Sequence, residues 1–82
     1  MDYMTFNGWL IETHDMGERS AQDVVSRCKR VCRMLRIDRI TPDTSSELVN
    51  NADFNNSSMY IKSQLKRAVT LWLDFEGIRS KA

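Results

Sequence analysis

Proline, glycine and cysteine are scarce in this chain of 82 residues, which contains one Pro, three Gly and two Cys. The three glycines stand far apart, so no glycine-rich loop is present to hold a phosphate. Two cysteines fall short of the disulfide framework that a secreted domain of this size usually carries, so we expect a reducing, cytoplasmic location. No apolar run approaches the roughly 20 residues that span a bilayer, and no signal peptide opens the chain, so we expect no membrane association.

Groups that could carry catalysis are equally scarce. His14 is the only histidine, and no serine or cysteine stands at a spacing that suggests a nucleophile–base pair. Cys28 and Cys32 could supply two metal ligands from one helical face, but a closed zinc site needs four, and the simpler interpretation places both in a core stripe. We therefore expect no enzymatic activity, no metal and no cofactor, with a small hydrolase or metal enzyme as a remote alternative.

What the chain does contain is an ordinary globular composition with helical periodicity. Hydrophobic residues make up 41% and charged residues 28% of the sequence, which is typical of a folded domain. Alternating apolar and polar runs are absent, while apolar residues recur with a period near 3.6. The sequence predicts one all-α domain over residues 1–82, with an ordered core over about 3–78 and a loose tail over 79–82.

Four helices, two long and two short, are expected in a small bundle. Thr5 is predicted to cap the first and Ser20 the second. Gly77 is predicted to end the last one as a C′ residue. The run from Asn50 to Ser58, rich in asparagine and serine, is predicted to be a loop. The predicted helices cover about residues 5–13, 20–36, 45–51 and 58–76.

The distribution of charge is more informative than the net charge of +1. Residues 18–39 contain seven basic and three acidic residues, and residues 58–73 contain three basic residues and no acid. Segments 1–17 and 40–57 each contain three acids and no Lys or Arg. Guanidinium groups bind phosphate in a forked geometry, so the basic faces of predicted helices two and four favour phosphate recognition. The candidate DNA-binding residues are Arg27, Arg30, Arg33, Arg36, Lys62, Lys66 and Arg67.

The order of these signals resembles a known family. Phe6-x-x-Trp9-Leu10 is followed by Ser20-Ala21-x-Asp23-Val24-Val25, the basic helix, Ile40-Thr41-Pro42, Ser46-Glu47-Leu48, and Lys66-Arg67-Ala68-Val69-x-x-Trp72-Leu73-Asp74-Phe75-Glu76-Gly77. This resembles the core-binding, SAM-like N-terminal domain of phage integrases and other tyrosine recombinases. The resemblance covers about residues 3–78.

The resemblance implies a non-catalytic module that clamps double-stranded DNA. In that family about four helices lie against the DNA, and the catalytic residues belong to a second domain, so Tyr3 and Tyr60 are not expected to be nucleophiles. The chain could be part of a recombinase with a catalytic partner domain, or a stand-alone protein with the same bundle. The alternative is a phage- or plasmid-type protein-interaction module, whose signature would be an exposed apolar patch around Phe54, Met59 and Tyr60.

Overall fold

The structure is a computed structural model that describes the backbone of residues 3–81 and the side chains of residues 3–77. The described residues form helices and connecting turns with no strand, which confirms the all-α prediction. Over residues 3–81 there are five helices rather than four, because the segment predicted as a loop contains a short helix. They are α1 (Tyr3–Thr13), α2 (Glu18–Leu35), α3 (Thr44–Val49), α4 (Ala52–Asn55) and α5 (Met59–Lys81).

Helix α1 presents an apolar stripe to the rest of the protein. Phe6 and Leu10 are fully buried, and Trp9 is half-buried beside them. The predicted Thr5 cap was wrong, since the helix already includes Tyr3 and places Thr5 inside its first turns. Gly8 lies within the helix, where glycine makes the helix modestly less stable than alanine would.

Helix α2 follows the predicted stripe but begins earlier than predicted. Ala21, Val24, Cys28 and Val31 are buried along one side, as the period of 3.6 residues requires. Gly17 occupies the N-cap position, so the prediction of Ser20 as the cap was wrong. Glu18 lies in the first turn, where its negative charge is favourable to the helix dipole.

A left-handed residue ends α2. Arg36 has φ 56° and ψ 46°, a conformation that glycine usually supplies at this position. The Arg36 N–H donates to the carbonyl of Arg33 (3.3 Å), and the Ile37 N–H donates to that of Cys32 (3.0 Å). These two bonds form a Schellman motif, which turns the chain sharply at the predicted end of the helix.

Helices α3 and α4 depart from prediction in their details. Asp43 is the N-cap residue of α3 and makes no side-chain capping bond, while Thr44 is buried and accepts a hydrogen bond from the Thr41 N–H (2.8 Å). The Thr44-x-x-Glu47 pattern, which is typical of a capping box, therefore does not act as one here. Leu48 is buried, whereas Val49 is 44% exposed.

Asn51 explains the unpredicted helix α4. Its side-chain oxygen accepts from the Phe54 N–H (3.0 Å), which caps the helix, and its side-chain amide donates to the carbonyl of Met34 (3.3 Å) in α2. The Asn55 amide donates to the carbonyl of Val49 (3.0 Å). Asparagines that predicted a loop instead satisfy backbone groups and fold the segment onto α2, with Phe54 buried beneath it.

Helix α5 is the longest element, with 23 residues. The Ser58 hydroxyl accepts from the Ile61 N–H (3.2 Å) and caps its start, close to the predicted boundary. The predicted stop at Gly77 was wrong, because α5 continues through Gly77 to Lys81. The predicted loose tail covers residues 79–82. The side chains of these residues and the backbone of Ala82 lie outside the described residues. Within the described residues, no helix combines the length and apolar character needed to cross a membrane.

Helices α2 and α5 run in the same direction. The Cys28 thiol donates to the carbonyl of Ala68 (3.5 Å), and Arg39, beyond the end of α2, contacts Glu76 near the end of α5. Increasing residue numbers in one helix therefore face increasing numbers in the other. Two adjacent parallel helices need a connecting segment that returns along their length. Residues 36–58, which contain α3 and α4, form this segment.

An aromatic cluster joins α1 to α5. The Phe6 ring lies 4.9 Å from that of Trp72 and 5.3 Å from that of Phe75, measured between centroids. The Trp72 indole N–H donates to the Glu76 carboxylate (2.6 Å), whose other oxygen lies 3.5 Å from Arg39. The buried indole thus has a polar partner, and the connector after α2 is joined to the same end of α5.

The left-handed Arg36 predicts that Arg36→Gly stabilises the protein. An L-residue with positive φ is strained, and glycine adopts this conformation freely, so the free energy of unfolding is expected to rise by about 0.5–1 kcal/mol. The measurement is urea denaturation followed by circular dichroism. Arg33→Gly, inside the same helix, is the matched control and should lower stability by about 1 kcal/mol. Equal losses in both variants would contradict the assignment of Arg36 as the C′ residue.

Candidate nucleic-acid interface

The seven basic residues predicted to bind DNA do not form one continuous face. Arg27 and Lys62 are half-buried, and the other five are exposed. The structure divides them into three groups and leaves Arg36 alone at the end of α2. The groups lie between α2 and α5, between α4 and α5, and between α1 and α2.

The first group lies in a groove between the N-terminal halves of α2 and α5, with a volume of about 270 Å³. Arg27 of α2 and Arg67 of α5 both line it, so the fold brings together two cations that are 40 positions apart. Arg30 is exposed one helical turn beyond Arg27, at the neighbouring position on α2. We call this site the α2–α5 groove; its lining is Met16, Ser20, Asp23, Val24, Arg27, Tyr60, Gln64 and Arg67.

Four polar or acidic members of this groove were not among the predicted DNA-binding residues: Ser20, Asp23, Tyr60 and Gln64. Tyr60, Gln64 and Arg67 follow one another at spacings of four and three, which places them along one side of α5. This spacing in the sequence indicates that the three residues share one side of α5. It does not indicate that α2 packs next to that side. Asp23 adds one negative charge to the lining beside the two arginines.

The second group consists of Lys62 and Lys66, which lie on another side of α5. Their Nζ atoms are 6.0 Å and 5.8 Å from the centroid of the Phe54 ring. Both ammonium groups thus approach the same buried aromatic ring of α4, a favourable cation–π arrangement. They lie away from Arg67, because positions 66 and 67 differ by about 100° around a helix.

The third group lies on the opposite flank of α2. Arg33 and Lys29 line a depression with Tyr3 of α1, and the Lys29 Nζ lies 5.1 Å from the centroid of the Tyr3 ring. The predicted series Arg27, Arg30 and Arg33 therefore winds around α2 instead of following one edge. Arg27 faces α5, whereas Arg33 lies on the α1 side.

Acidic partners do not neutralise these seven cations. Among the side chains of residues 3–77, the ion pair present joins Arg39 to Glu76, and it involves none of the seven. Their charges are therefore directed to solvent or, for Lys62 and Lys66, to an aromatic ring. Among the described side chains, no ion pair holds Arg27 or Arg67 to a carboxylate, although Asp23 also lines the α2–α5 groove and adds one negative charge to it.

The cysteines and His14 occupy structural settings. Cys28 is buried, and the pKa of its thiol rises to about 12, chiefly because burial penalises the thiolate and secondarily because Cys32 is near. Burial is also the main cause that raises the pKa of Cys32. The exposed His14 ring packs edge-on against Trp9, with centroids 4.8 Å apart. Within the described residues, no three His, Cys, Asp or Glu side chains are grouped to hold a metal ion.

Comparisons with protein families, with curated proteins and with solved structures find no match to this chain.

The raised pKa of Cys28 predicts slow labelling by a thiol reagent. At pH 8 a thiol with a pKa of about 12, rather than its ordinary 9.0, has about a thousandfold less thiolate. In a Cys32→Ser variant, Cys28 should react far more slowly with a chromogenic disulfide reagent in the native state than in urea. Cys28→Ala, which leaves the half-buried Cys32, serves for comparison. Native labelling of Cys28 at the rate of the unfolded chain would contradict its burial against α5.

Proposed function

We propose that this protein is a non-catalytic DNA-binding module that holds duplex phosphates at the α2–α5 groove. The observation that carries the proposal is the convergence of Arg27 and Arg67, from two different helices, on one groove without an ion-pair partner among the described residues. Exposed Arg30 extends the basic surface along α2. Arginine binds phosphate through two parallel hydrogen bonds, so two converging arginines suit a backbone phosphate.

The resemblance to recombinase core-binding domains supports the same surface. It places the DNA-facing residues on predicted helices two and four, which correspond to α2 and α5. In this proposal the chain supplies binding, and any strand cleavage belongs to a catalytic domain or protein outside it. Contacts to phosphates carry little sequence information by themselves, so binding through this groove should be only weakly sequence-dependent.

The three groups of cations rank differently for this role. The α2–α5 groove offers Arg27 and Arg67 side by side, whereas Lys62 and Lys66 lie over Phe54 and Arg33 lies on the α1 side. We therefore assign the central phosphate contacts to Arg27, Arg30 and Arg67. The remaining predicted residues are assigned to the periphery, where their charge attracts DNA over a longer distance.

The proposal predicts the effect of an Arg27→Gln/Arg67→Gln double variant on DNA binding. Fluorescence anisotropy with a labelled duplex of about 20 base pairs, titrated at several salt concentrations, gives both Kd and its salt dependence. Losing two phosphate contacts should weaken binding by at least about tenfold at low salt and reduce the log–log slope by about 1.8. Circular dichroism verifies that the double variant is folded.

Two matched controls separate a local effect from a change in net charge. Lys29→Gln/Arg33→Gln also removes two positive charges, but on the α1 side, where Arg33 is assigned no direct phosphate contact, so the salt slope should fall by much less than 1.8. Asp23→Asn removes the acid from the groove and should strengthen binding. The proposal is wrong if the wild-type protein does not bind duplex DNA at low salt. Equal losses of DNA affinity in both double variants would contradict the assignment of the phosphate contacts to the α2–α5 groove.

A protein-interaction module remains the second candidate function, because two neighbouring apolar side chains are exposed. Met59 is 80% and Tyr60 is 66% exposed at the start of α5. Phe54, predicted to belong to the same patch, is instead buried. Failure of DNA binding combined with specific retention of a partner by wild-type protein, lost on Met59→Ala/Tyr60→Ala, would favour this function.

A further inference from the structure

The α2–α5 groove has two chemically different ends. Because Cys28 of α2 contacts Ala68 of α5, each position of α2 faces a position about 40 residues later in α5. Arg27 and Arg67 follow this offset, so they are level with each other and form a cationic end. The other end lies nearer the start of both helices. The polar residues that line it are Ser20, Asp23, Tyr60 and Gln64.

This second end carries groups that a phosphate does not need. Tyr60 is 66% exposed, and an aromatic ring in a cationic groove is the feature on which unpaired bases stack in proteins that bind single strands. The Asp23 carboxylate repels phosphate, but it accepts hydrogen bonds from N–H groups. A ligand that has a phosphate at one end and a flat ring with N–H donors at the other suits both ends of the groove. A nucleotide with an unpaired base has this composition.

We infer that the α2–α5 groove holds one unpaired guanine nucleotide of the bound DNA. Its phosphate binds Arg27 and Arg67, and its base stacks on Tyr60. The Watson–Crick edge of the base donates to the Asp23 carboxylate. This inference rests on the proposed DNA-binding function and specifies the substrate as a duplex interrupted by an unpaired base, because in a paired base the opposite strand occupies the edge that Asp23 would contact.

Guanine is the base whose Watson–Crick edge matches a carboxylate. It carries two adjacent donors, N1–H and the N2 amino group, and a carboxylate accepts such a pair in parallel, one with each oxygen. Adenine, cytosine and thymine each offer one donor group there, beside an acceptor that a carboxylate repels. Hydrogen bonds to a charged acceptor are stronger than those between neutral groups. Asp23 therefore favours guanine over the other three bases.

The dimensions of the groove agree with one nucleotide. Tyr60 precedes Arg67 by seven residues, which is about two helical turns or roughly 10 Å along α5. Asp23 precedes Arg27 by about one turn of α2. This span is comparable to the distance from the phosphate of a nucleotide to the far edge of its base. The groove volume of about 270 Å³ is sufficient for a single purine base.

The test measures binding to three duplexes of about 20 base pairs by fluorescence anisotropy. One duplex is fully paired, one contains a single bulged guanine at its centre, and one contains a bulged thymine at the same place. We expect wild-type protein to bind the bulged guanine about tenfold more tightly than the paired duplex, because of stacking. We expect it to bind the bulged guanine at least about fivefold more tightly than the bulged thymine, because of the carboxylate contact.

Variants of the groove separate stacking from edge recognition. Tyr60→Ala should lose the advantage of the bulged guanine and bind the paired duplex normally, whereas Tyr60→Phe keeps the ring and should keep the advantage. Met59→Ala is the matched control, since Met59 is the neighbouring exposed residue, at 80%, and does not line the groove. Asp23→Asn should change the two ligands in opposite directions: it should strengthen binding to the paired duplex and abolish the preference for guanine over thymine.

The outcomes distinguish this inference from the proposed function. If the paired duplex binds through Arg27 and Arg67 but the bulged guanine binds no more tightly, the inference alone is overturned. It is also overturned if the advantage of the bulged guanine survives Tyr60→Ala, or if both bulges bind equally well. Binding to the bulged guanine without binding to the paired duplex overturns the proposed function alone. Absence of binding to all three duplexes overturns both.

Discussion

The packing of Phe6 against Trp72 and Phe75 is the contact on which the arrangement of the helices depends. These rings join α1 to α5 at centroid distances of 4.9 Å and 5.3 Å, and each is almost fully buried. Aromatic side chains provide the largest apolar area per residue in so small a core. Because Glu76 binds both the Trp72 indole and Arg39, the same contact also positions the chain that leaves α2.

The position of α5 along α2 then determines the character of the surface. Cys28 and Ala68 are small, and their contact lets the two helices approach closely. With these residues opposite each other, Arg27 and Arg67 line the same groove. A shift of α5 by one residue would turn Arg67 by about 100° and separate the two cations. Core packing and the proposed phosphate site are thus consequences of the same alignment.

Much of the fold could be predicted from local patterns. The stripes of α1, α2 and α5 follow from their apolar spacing, and the end of α2 agrees with prediction within one residue. Helix α4 was not predicted, because the contact that joins it to α2, from the Asn51 amide to the carbonyl of Met34, links residues that are distant in sequence. Gly77 also departs from its local preference for a helix end, since the backbone of α5 continues through it to Lys81.

The sequence by itself determined the three longer helices, α1, α2 and α5, and the positions of the basic residues along α2 and α5. Only the tertiary structure decided that Arg27 and Arg67 share a groove with Tyr60, that Lys62 and Lys66 approach Phe54, and that Arg33 lies on the α1 side. The physical reason is that periodicity gives the angle of a side chain around its own helix axis. The neighbour that covers each flank, and its alignment, depend on contacts between residues far apart in the chain.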